Sequence, residues 1–333
     1  MEVFLKTLEQ VLVMLFFMAA GYLLQRGKIL PENSTKTVSL LLTDLILPAY
    51  VIYNLSTGVT KENIVEYGGY ILIGLICLIV FLGIAYGLGF LLKGIYKDRK
   101  VLVYMLAFSN YSYFGYPLIE FVYGSETLAK VLIFVIPFTI FIYTLGIKMI
   151  TSDIEKPNIE KPNDEQPNFE KPKKKFHIQP VIPALVLGIL LGILGVNLTG
   201  KSENVALATL GTILSTAKSC MSPVSMIYTG MVLAKFSLKE LSCSLKSAIV
   251  AFFRLVVIPV IVTGICYLLK ITTGLVGVQY FLIPVVISAM PIGMNIVIFR
   301  GEDGAESAQV CFYSLIMGLA TIPLLFTALQ YLI

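Results

Sequence analysis

The chain has 333 residues, of which 57% are hydrophobic and 14% are charged, and its mean hydropathy is +0.87. About a quarter of the residues of a soluble domain are charged, so this composition excludes an ordinary soluble protein and leaves no length for a sizeable soluble domain. The formal charge of +5 lies mostly in loops between apolar segments and therefore does not indicate a nucleic-acid-binding protein.

Long apolar segments follow one another along the whole chain, as expected for spans of roughly 20 residues each. We predict them at 3–25, 36–56, 64–92, 101–123, 126–149, 179–197, 204–234, 246–269, 278–299 and 305–332. Strands of a membrane barrel would be only about 10 residues long and would alternate in polarity. The sequence therefore predicts an all-α membrane protein of about ten transmembrane helices in the lipid bilayer.

One long polar stretch divides these segments into two sets of five. It repeats Glu-Lys-Pro-Asn or a close variant from Glu155 onward and ends in Lys173, Lys174 and Lys175. Proline at every fifth position is incompatible with a helix and favours an extended linker. We predict a first five-helix repeat at 1–150, a linker at 151–178 and a second repeat at 179–333. An odd number of spans per half makes the second repeat inverted relative to the first.

Lysine and arginine residues are concentrated at one set of segment ends. The other side shows only Lys6, Lys61, Lys130, Lys201 and Lys270. Cytoplasmic loops carry an excess of basic residues, so both termini are predicted to lie outside and the linker to lie in the cytoplasm. The N-terminus lacks the basic region of a signal peptide, so the first segment is expected to remain as a span of a multi-pass cell-membrane protein.

Two apolar segments, the fourth and the ninth, contain helix-breaking residues near their centres. These are Asn110-Tyr-Ser-Tyr-Phe-Gly-Tyr-Pro117 and Met290-Pro-Ile-Gly-Met-Asn295. Proline leaves a carbonyl without a helical partner, which hydrocarbon cannot satisfy, so such breaks line a cavity or a protein interior. Paired breaks in corresponding positions of two halves indicate a transporter with its binding site at the membrane midplane.

The crossing of these two breaks is the predicted binding site for a small organic anion. Half-helix N-termini present free N–H groups and a positive dipole end, which suit a carboxylate. The candidate residues are Asn110, Tyr111, Ser112, Gly115, Pro117, Pro291, Gly293 and Asn295. Two interpretations of the asparagines stay open, because an amide beside a break can bind a ligand or can satisfy backbone groups freed by proline.

Four ionisable residues are predicted inside spans, where a charge needs a partner or a role. Asp44 and Lys218 occupy equivalent places in the two repeats, so they either form a neutralising pair or Asp44 takes up a proton or a cation during transport. Glu120 lies about one helical turn after Pro117 and therefore on a nearby face of the helix. Arg254 is expected to reach the cytoplasmic surface or to pair with a carboxylate.

The residue inventory argues against an enzyme. His177 is the single histidine and lies in the predicted linker, which removes Ser-His dyads and HExxH zinc sites. The cysteines are scattered without CxxC spacing, so neither a metal site nor a cofactor is expected.

Motifs along nearly the full chain resemble the auxin efflux carrier family. They are Leu47-Pro48, Asn110 with Gly115-Tyr116-Pro117-Leu118, Tyr123-Gly124, Ile227 through Ala234, and Met290-Pro291 through Gly304, Ala308 and Pro323. The resemblance implies two inverted five-helix repeats, a scaffold and a transport domain, and fourth and ninth helices that cross at their prolines. It also implies carriage of small organic anions such as indole acids or dicarboxylates. Plant members tend to carry a basic residue where this chain has Glu120, and this departure from the family pattern favours H⁺ or Na⁺ coupling.

We therefore expect a secondary transporter of carboxylates that works by alternating access. The rival interpretations are a non-transporting membrane receptor that keeps the pocket and, with less support, an ion channel. The sequence does not choose between proton coupling, sodium coupling and uniport, and it leaves the oligomeric state open, a homodimer being one alternative.

Overall fold

A computed structural model describes residues 2–31, 33–96, 98–151, 179–196, 198–199, 204–242, 244–273, 278–300 and 304–332. Within these ranges the backbone is all-helical, with two isolated β-bridges and no strand. The predicted linker lies, apart from Thr151, outside the described residues.

The helices of the first half run from α1 to α6. Their bounds are α1 Glu2–Arg26, α2 Ser34–Gly58, α3 Ile64–Leu91, α4 Arg99–Ala107, α5 Tyr116–Phe134 and α6 Ile136–Thr151. The side chain of Asp98 starts α4 by accepting hydrogen bonds from the N–H groups of Lys100 and Val101. At Gly124, inside α5, φ is 84°, a left-handed conformation that glycine adopts without strain. This turn falls between the fourth and fifth predicted spans.

The second half contains α7 to α14. Their bounds are α7 Val181–Ile193, α8 Val205–Ser219, α9 Met221–Leu233, α10 Leu238–Ser242, α11 Leu245–Thr272, α12 Val278–Ser288, α13 Asn295–Arg300 and α14 Ala305–Leu332. Asn204 and Ser244 accept hydrogen bonds from the first turns of α8 and α11, respectively. In the short α10, hydrogen bonds with Ser237 lower the pKa of the Glu240 carboxyl.

Five of the helices in the described ranges are long and apolar enough to cross a membrane by length and composition. They are α1, α2, α3, α11 and α14, and a sixth is added if α5 with its preceding turn and α6, bent by 43°, are taken as one span. The remaining apolar segments are interrupted or short, which keeps them below the length of a full span. The chain is thus a helical, multi-pass membrane protein, and the count of ten spans stays a prediction.

Short π-helical turns widen four of the helical segments. They occur at Leu42–Ile46 in α2, Tyr111–Gly115 before α5, Ile142–Gly146 in α6 and Phe253–Val257 in α11. Such turns are rare and occur frequently at functional sites. Here they contain or flank Asp44, Asn110, Tyr143 and Arg254.

Glycines bring α1 into backbone contact with α9. A Cβ added to Gly21 would lie 2.1 Å from the carbonyl oxygen of Ile227, and one added to Gly230 would lie 1.9 Å from the carbonyl oxygen of Met18. Because association of membrane helices relies on close packing, small residues at the crossing stabilise it. A similar approach joins α7 to α2, where a Cβ on Gly192 would lie 2.5 Å from the carbonyl oxygen of Val59.

We expect Gly230→Ala to destabilise the protein, because the added methyl group meets backbone that cannot rotate away. Overpacking of this kind costs about 1–3 kcal/mol. Thermal unfolding in detergent measures the effect. Gly264→Ala is the matched control, since a Cβ there meets nothing within 4 Å and alanine favours the helix. Equal unfolding temperatures for the two variants would contradict the close crossing.

Candidate functional site

The two helix breaks predicted from the sequence meet in the structure. Ser109 and Ile292 form an isolated antiparallel β-bridge, and the N–H of Asn110 donates a hydrogen bond of 2.7 Å to the carbonyl of Pro291. Each break therefore supplies a backbone partner that the other has lost by leaving its helix. Non-helical backbone is tolerated at membrane depth when protein satisfies it in this way.

A third helix, α14, supports the crossing. The N–H of Ile292 donates to the hydroxyl of Ser314 at 3.2 Å, and this hydroxyl donates in turn to the carbonyl of Cys311 at 2.7 Å. Ser314 is fully buried. An orphan N–H in the break is thereby satisfied by a side chain from a helix that is itself intact.

A small cavity of about 30 Å³ lies at the crossing. It is lined by Ser109, Asn110, Tyr111, Ser112, Tyr113, Ile142, Tyr143, Gly293, Met294 and Asn295. The side-chain amide nitrogen of Asn110 and the amide oxygen of Asn295 are buried and have no hydrogen-bond partner in the described part of the chain. A buried amide without a partner costs about 1–3 kcal/mol, so this site favours a polar occupant.

Glycine at position 293 leaves space for one of these amides. A Cβ there would lie 2.7 Å from the amide oxygen of Asn295 and 3.3 Å from the carbonyl oxygen of Ser109. Any larger residue would therefore push into the cavity.

The start of the helical stretch that leads into α5 faces the same cavity. The carbonyl of Asn110 accepts hydrogen bonds from the N–H groups of Phe114 and Gly115. The three N–H groups between Asn110 and Phe114 have no carbonyl four residues earlier within the helix, so they have no partner within the helix. They belong to Tyr111, Ser112 and Tyr113, which line the cavity, so donors for an anion are concentrated there.

A partly buried charge pair lies at a second, larger cavity. The carboxylate of Glu120 on α5 binds the ammonium of Lys218 on α8, and it also accepts a 2.7 Å hydrogen bond from the hydroxyl of Tyr50 on α2. Lys218 donates a further hydrogen bond of 2.9 Å to the side-chain oxygen of Asn54 and lies 4.8 Å from the centre of the Tyr53 ring. The pair joins helices of both halves of the chain.

Of the two alternatives for Asp44, the pairing with Lys218 is wrong, and the uptake of a proton or a cation stays a prediction. Lys218 is bound to Glu120, while Asp44 is exposed and accepts a 3.0 Å hydrogen bond from the neighbouring Thr43. The Asp44 side chain leaves α2 within a π turn on its exposed face, whereas Tyr50 and Asn54 point toward Lys218. Sequence spacing gave the correct charged residues but not the faces on which they lie.

Arg254 neither reaches the surface nor pairs with a carboxylate in the described residues, which corrects both expectations. Its side chain is 1% exposed, and one terminal nitrogen donates to the carbonyl of Ser288, the last residue of α12 before the break. Its Nε and other terminal nitrogen have no partner there. The guanidinium therefore lies at the negative end of a half-helix, where a cation is favoured.

Comparison with known proteins identifies the family to which the chain belongs. The model of a family described as membrane transport protein matches residues 6–327. The chain belongs to this membrane transport protein family. It is also similar to an uncharacterized transporter of Methanothermobacter thermautotrophicus, with 25% identity over 329 residues that cover 97% of this chain and 98% of the relative. The resemblance to auxin efflux carriers, deduced from the motifs, is confirmed.

In this member of the membrane transport protein family, the predicted binding residues divide between the two cavities. Asn110, Tyr111, Ser112, Gly293 and Asn295 line the crossing, whereas Pro117 lines the larger cavity. Gly115 and Pro291 act through the backbone, Gly115 as a donor to the Asn110 carbonyl and Pro291 as the acceptor from the Asn110 N–H.

Several candidate functional residues were not predicted from the sequence. Tyr143 lines the crossing from α6, and Tyr50, Asn54 and Ser314 hold the charged pair or the break. The signal available for Asn54 and Ser314 was a polar side chain inside an apolar segment. The tyrosines carry no such signal, because aromatic residues are common in packed membrane helices.

Proposed function

We propose that the chain is a secondary active transporter of small organic anions, in particular carboxylates, which bind where the two helix breaks cross. The observation that carries this proposal is the buried amide nitrogen of Asn110, a donor without a partner in the described residues, which lines the cavity at the crossing. Membership of the membrane transport protein family supports a transporter, and the site supports the class of substrate.

The anionic class follows from the donors at the crossing. The free N–H groups at the start of the helical stretch Tyr111–Phe134 and the amide nitrogen of Asn110 all donate hydrogen bonds. A carboxylate only accepts them, and hydrogen bonds to a charged acceptor are the stronger kind. The cavity of about 30 Å³ holds about one water and must widen to admit a substrate. Binding at this site is therefore coupled to a conformational change, as alternating access requires.

The packing of the helices supports the inverted-repeat topology. Ten spans in two inverted repeats relate the first span to the sixth and the second to the seventh. In the structure α1 packs on α9 of the seventh span, and α2 packs on α7, the sixth span. The proposed symmetry maps the first of these contacts onto the second. It maps the crossing of the fourth and ninth spans onto itself. We propose this topology with both termini outside and the linker in the cytoplasm, as the basic residues predict.

We propose that an H⁺ or Na⁺ gradient drives transport, with Glu120 as the carboxylate that responds to it. A partly buried carboxylate paired with a cation at the edge of a cavity can change partner when the conformation changes. Assembly as a homodimer remains a prediction.

Uptake into proteoliposomes tests the proposal. Purified protein is reconstituted, and accumulation of radiolabelled acetate, benzoate and malate is followed with imposed proton, sodium or electrical gradients. We expect accumulation of at least one carboxylate, dependent on a gradient and absent from protein-free vesicles. Specific binding of a carboxylate without flux under any gradient would contradict transport and favour a non-transporting receptor.

A further inference from the structure

A second cavity, of about 340 Å³, opens around the Glu120–Lys218 pair. It is lined by Gln10, Tyr50, Tyr53, Pro117, Glu120, Phe121, Ser215, Lys218, Ser219, Met221 and Ser222. The cavity thus lies between α1, α2, α5, α8 and α9, and Pro117 connects it to the helix that begins at the crossing. Under the proposed topology it opens on the outer side. Its volume is within the range of cavities that hold small molecules.

Lys218 is the cation of this cavity, and its surroundings suit a carboxylate. Its ammonium contacts the Glu120 carboxylate, the side-chain oxygen of Asn54 and the face of the Tyr53 ring. The side chain is 16% exposed, so a solute in the cavity can reach it. The hydroxyl of Ser222 lines the same space and can donate a hydrogen bond to a second oxygen, whereas the hydroxyls of Ser215 and Ser219 already donate to the carbonyls of Thr212 and Thr216.

Glu120 already occupies the position that an incoming carboxylate would take. One of its oxygens binds Lys218 and the other accepts from the Tyr50 hydroxyl. A second carboxylate at Lys218 would lie close to the Glu120 carboxylate, and like charges at so short a separation in a partly buried site repel each other. That repulsion favours a state in which one of them leaves or becomes neutral.

We propose that the substrate carboxylate binds Lys218 in exchange for Glu120, which takes up one proton from the adjoining solution as it is displaced. The proton forms an O–H bond on Glu120, the ion pair between Glu120 and Lys218 is replaced by one between the substrate and Lys218, and the charge of the site does not change. This inference rests on the proposed function and makes the outer cavity a proton-linked entry site.

The groups that face Glu120 support this exchange. In the described residues these are Lys218 from α8 and the Tyr50 hydroxyl from α2, while Tyr53 lines the same cavity and α1 contributes the uncharged Gln10. Lys218 is the only cation among them, so a displaced Glu120 finds no second one in that cavity. A carboxylate left without a cation in a poorly solvated place becomes neutral by taking up a proton.

A local fluorescence reporter can follow the exchange, since the chain contains no tryptophan. Tyr53→Trp keeps an aromatic ring beside the Lys218 ammonium and supplies the single tryptophan of the chain, whose fluorescence is excited selectively. Benzoate, acetate and malate are titrated against the purified full chain carrying this substitution at several pH values. Calorimetry with benzoate in two buffers of different ionisation heat gives the number of protons taken up.

We expect the reporter to respond to at least one anion, with about one proton taken up per anion and, where that proton is taken up, about tenfold weaker binding for each unit of rise in pH. Anion binding weakens as the pH rises because the proton is a reactant in the exchange and its concentration falls. Glu120→Gln should bind without proton uptake and without pH dependence, since its amide stands in for the protonated carboxyl. Glu126→Gln is the matched control. It lies on the same helix outside that cavity and is 75% exposed, and its partner Lys130 keeps the carboxylate of Glu66, so this variant should behave as the parent.

Removing Lys218 alone would leave Glu120 without its cation and could unfold the protein. The double variant Glu120→Gln with Lys218→Met avoids this and should lose the anion response that Glu120→Gln retains. Anion binding without proton uptake in the parent, unchanged binding in the double variant, or no response to any of the three anions would each overturn the exchange.

Asn110→Ala separates this proposal from the function on which it rests. Because Asn110 lies at the crossing and not in the outer cavity, the reporter should still respond in this variant even when transport is lost. A reporter that is silent in a chain that still transports would overturn the outer site alone. A reporter that responds in a parent chain that transports no anion would contradict the transport function alone.

Discussion

Carboxylate uptake by Asn110→Ala is expected to fall by roughly 10- to 100-fold relative to the parent chain. The substitution removes a buried amide nitrogen that has no partner within the described residues and faces the cavity at the crossing. A hydrogen bond to a charged acceptor contributes about 1.5–3 kcal/mol, and every 1.4 kcal/mol is about tenfold in affinity. The initial rate of uptake into proteoliposomes measures the loss.

Asn63→Ala is the matched control for this prediction. The side-chain amide of Asn63 accepts from the N–H of Thr60 and donates to the carbonyl of Gly58, and it lies in the turn before α3, outside both cavities. It should lower the unfolding temperature without a comparable loss of uptake. Undiminished uptake by Asn110→Ala would remove the crossing from the proposed binding site.

Replacing Arg254 with methionine is expected to lower transport by about 10- to 100-fold while leaving thermal stability nearly unchanged. The guanidinium holds the last carbonyl of α12, at Ser288, and thereby the geometry of the break that follows. Loss of a charge-assisted hydrogen bond costs about 1.5–3 kcal/mol. Removal of a buried charge with two partnerless nitrogens offsets this, because an arginine in a membrane interior costs at least about 2.5–3.5 kcal/mol.

Transport and unfolding temperature, measured on the same preparation of each variant, together decide the role of Arg254. Arg254→Lys keeps a cation and one donor for Ser288, so it should retain more transport than the methionine variant. Arg99→Met controls for loss of an arginine, since Arg99 is exposed and contacts the Phe90 ring. If Arg254→Met unfolds at a much lower temperature, the residue stabilises the fold as a whole and not the break in particular.

The sequence predicted the places where the helices break, because proline, glycine and asparagine inside an apolar segment conflict with hydrocarbon. Asn110 and Asn295 were found by this conflict, and the structure brings them to one cavity. The boundary between the fourth and fifth predicted spans falls at Gly124, where the structure has its turn. These features depend on local chemistry, which a single sequence contains.

The charge partners were not predictable in the same way. Whether Lys218 binds Asp44 or Glu120 depends on the faces that α2, α5 and α8 present to one another, and a π turn in α2 changes the face on which Asp44 lies. The partner of Arg254 is a backbone carbonyl, which every residue has. No pattern of residue types could have identified it.

The hydrogen bond from Asn110 to Pro291 also has an evolutionary consequence. Since the N–H of one break is satisfied by the carbonyl of the other, neither segment has a complete structure without its counterpart. A substitution that shifts the backbone at position 110 disturbs the hydrogen bond to position 291, and a second substitution there can restore it. We expect the two segments to change together among descendants of this chain.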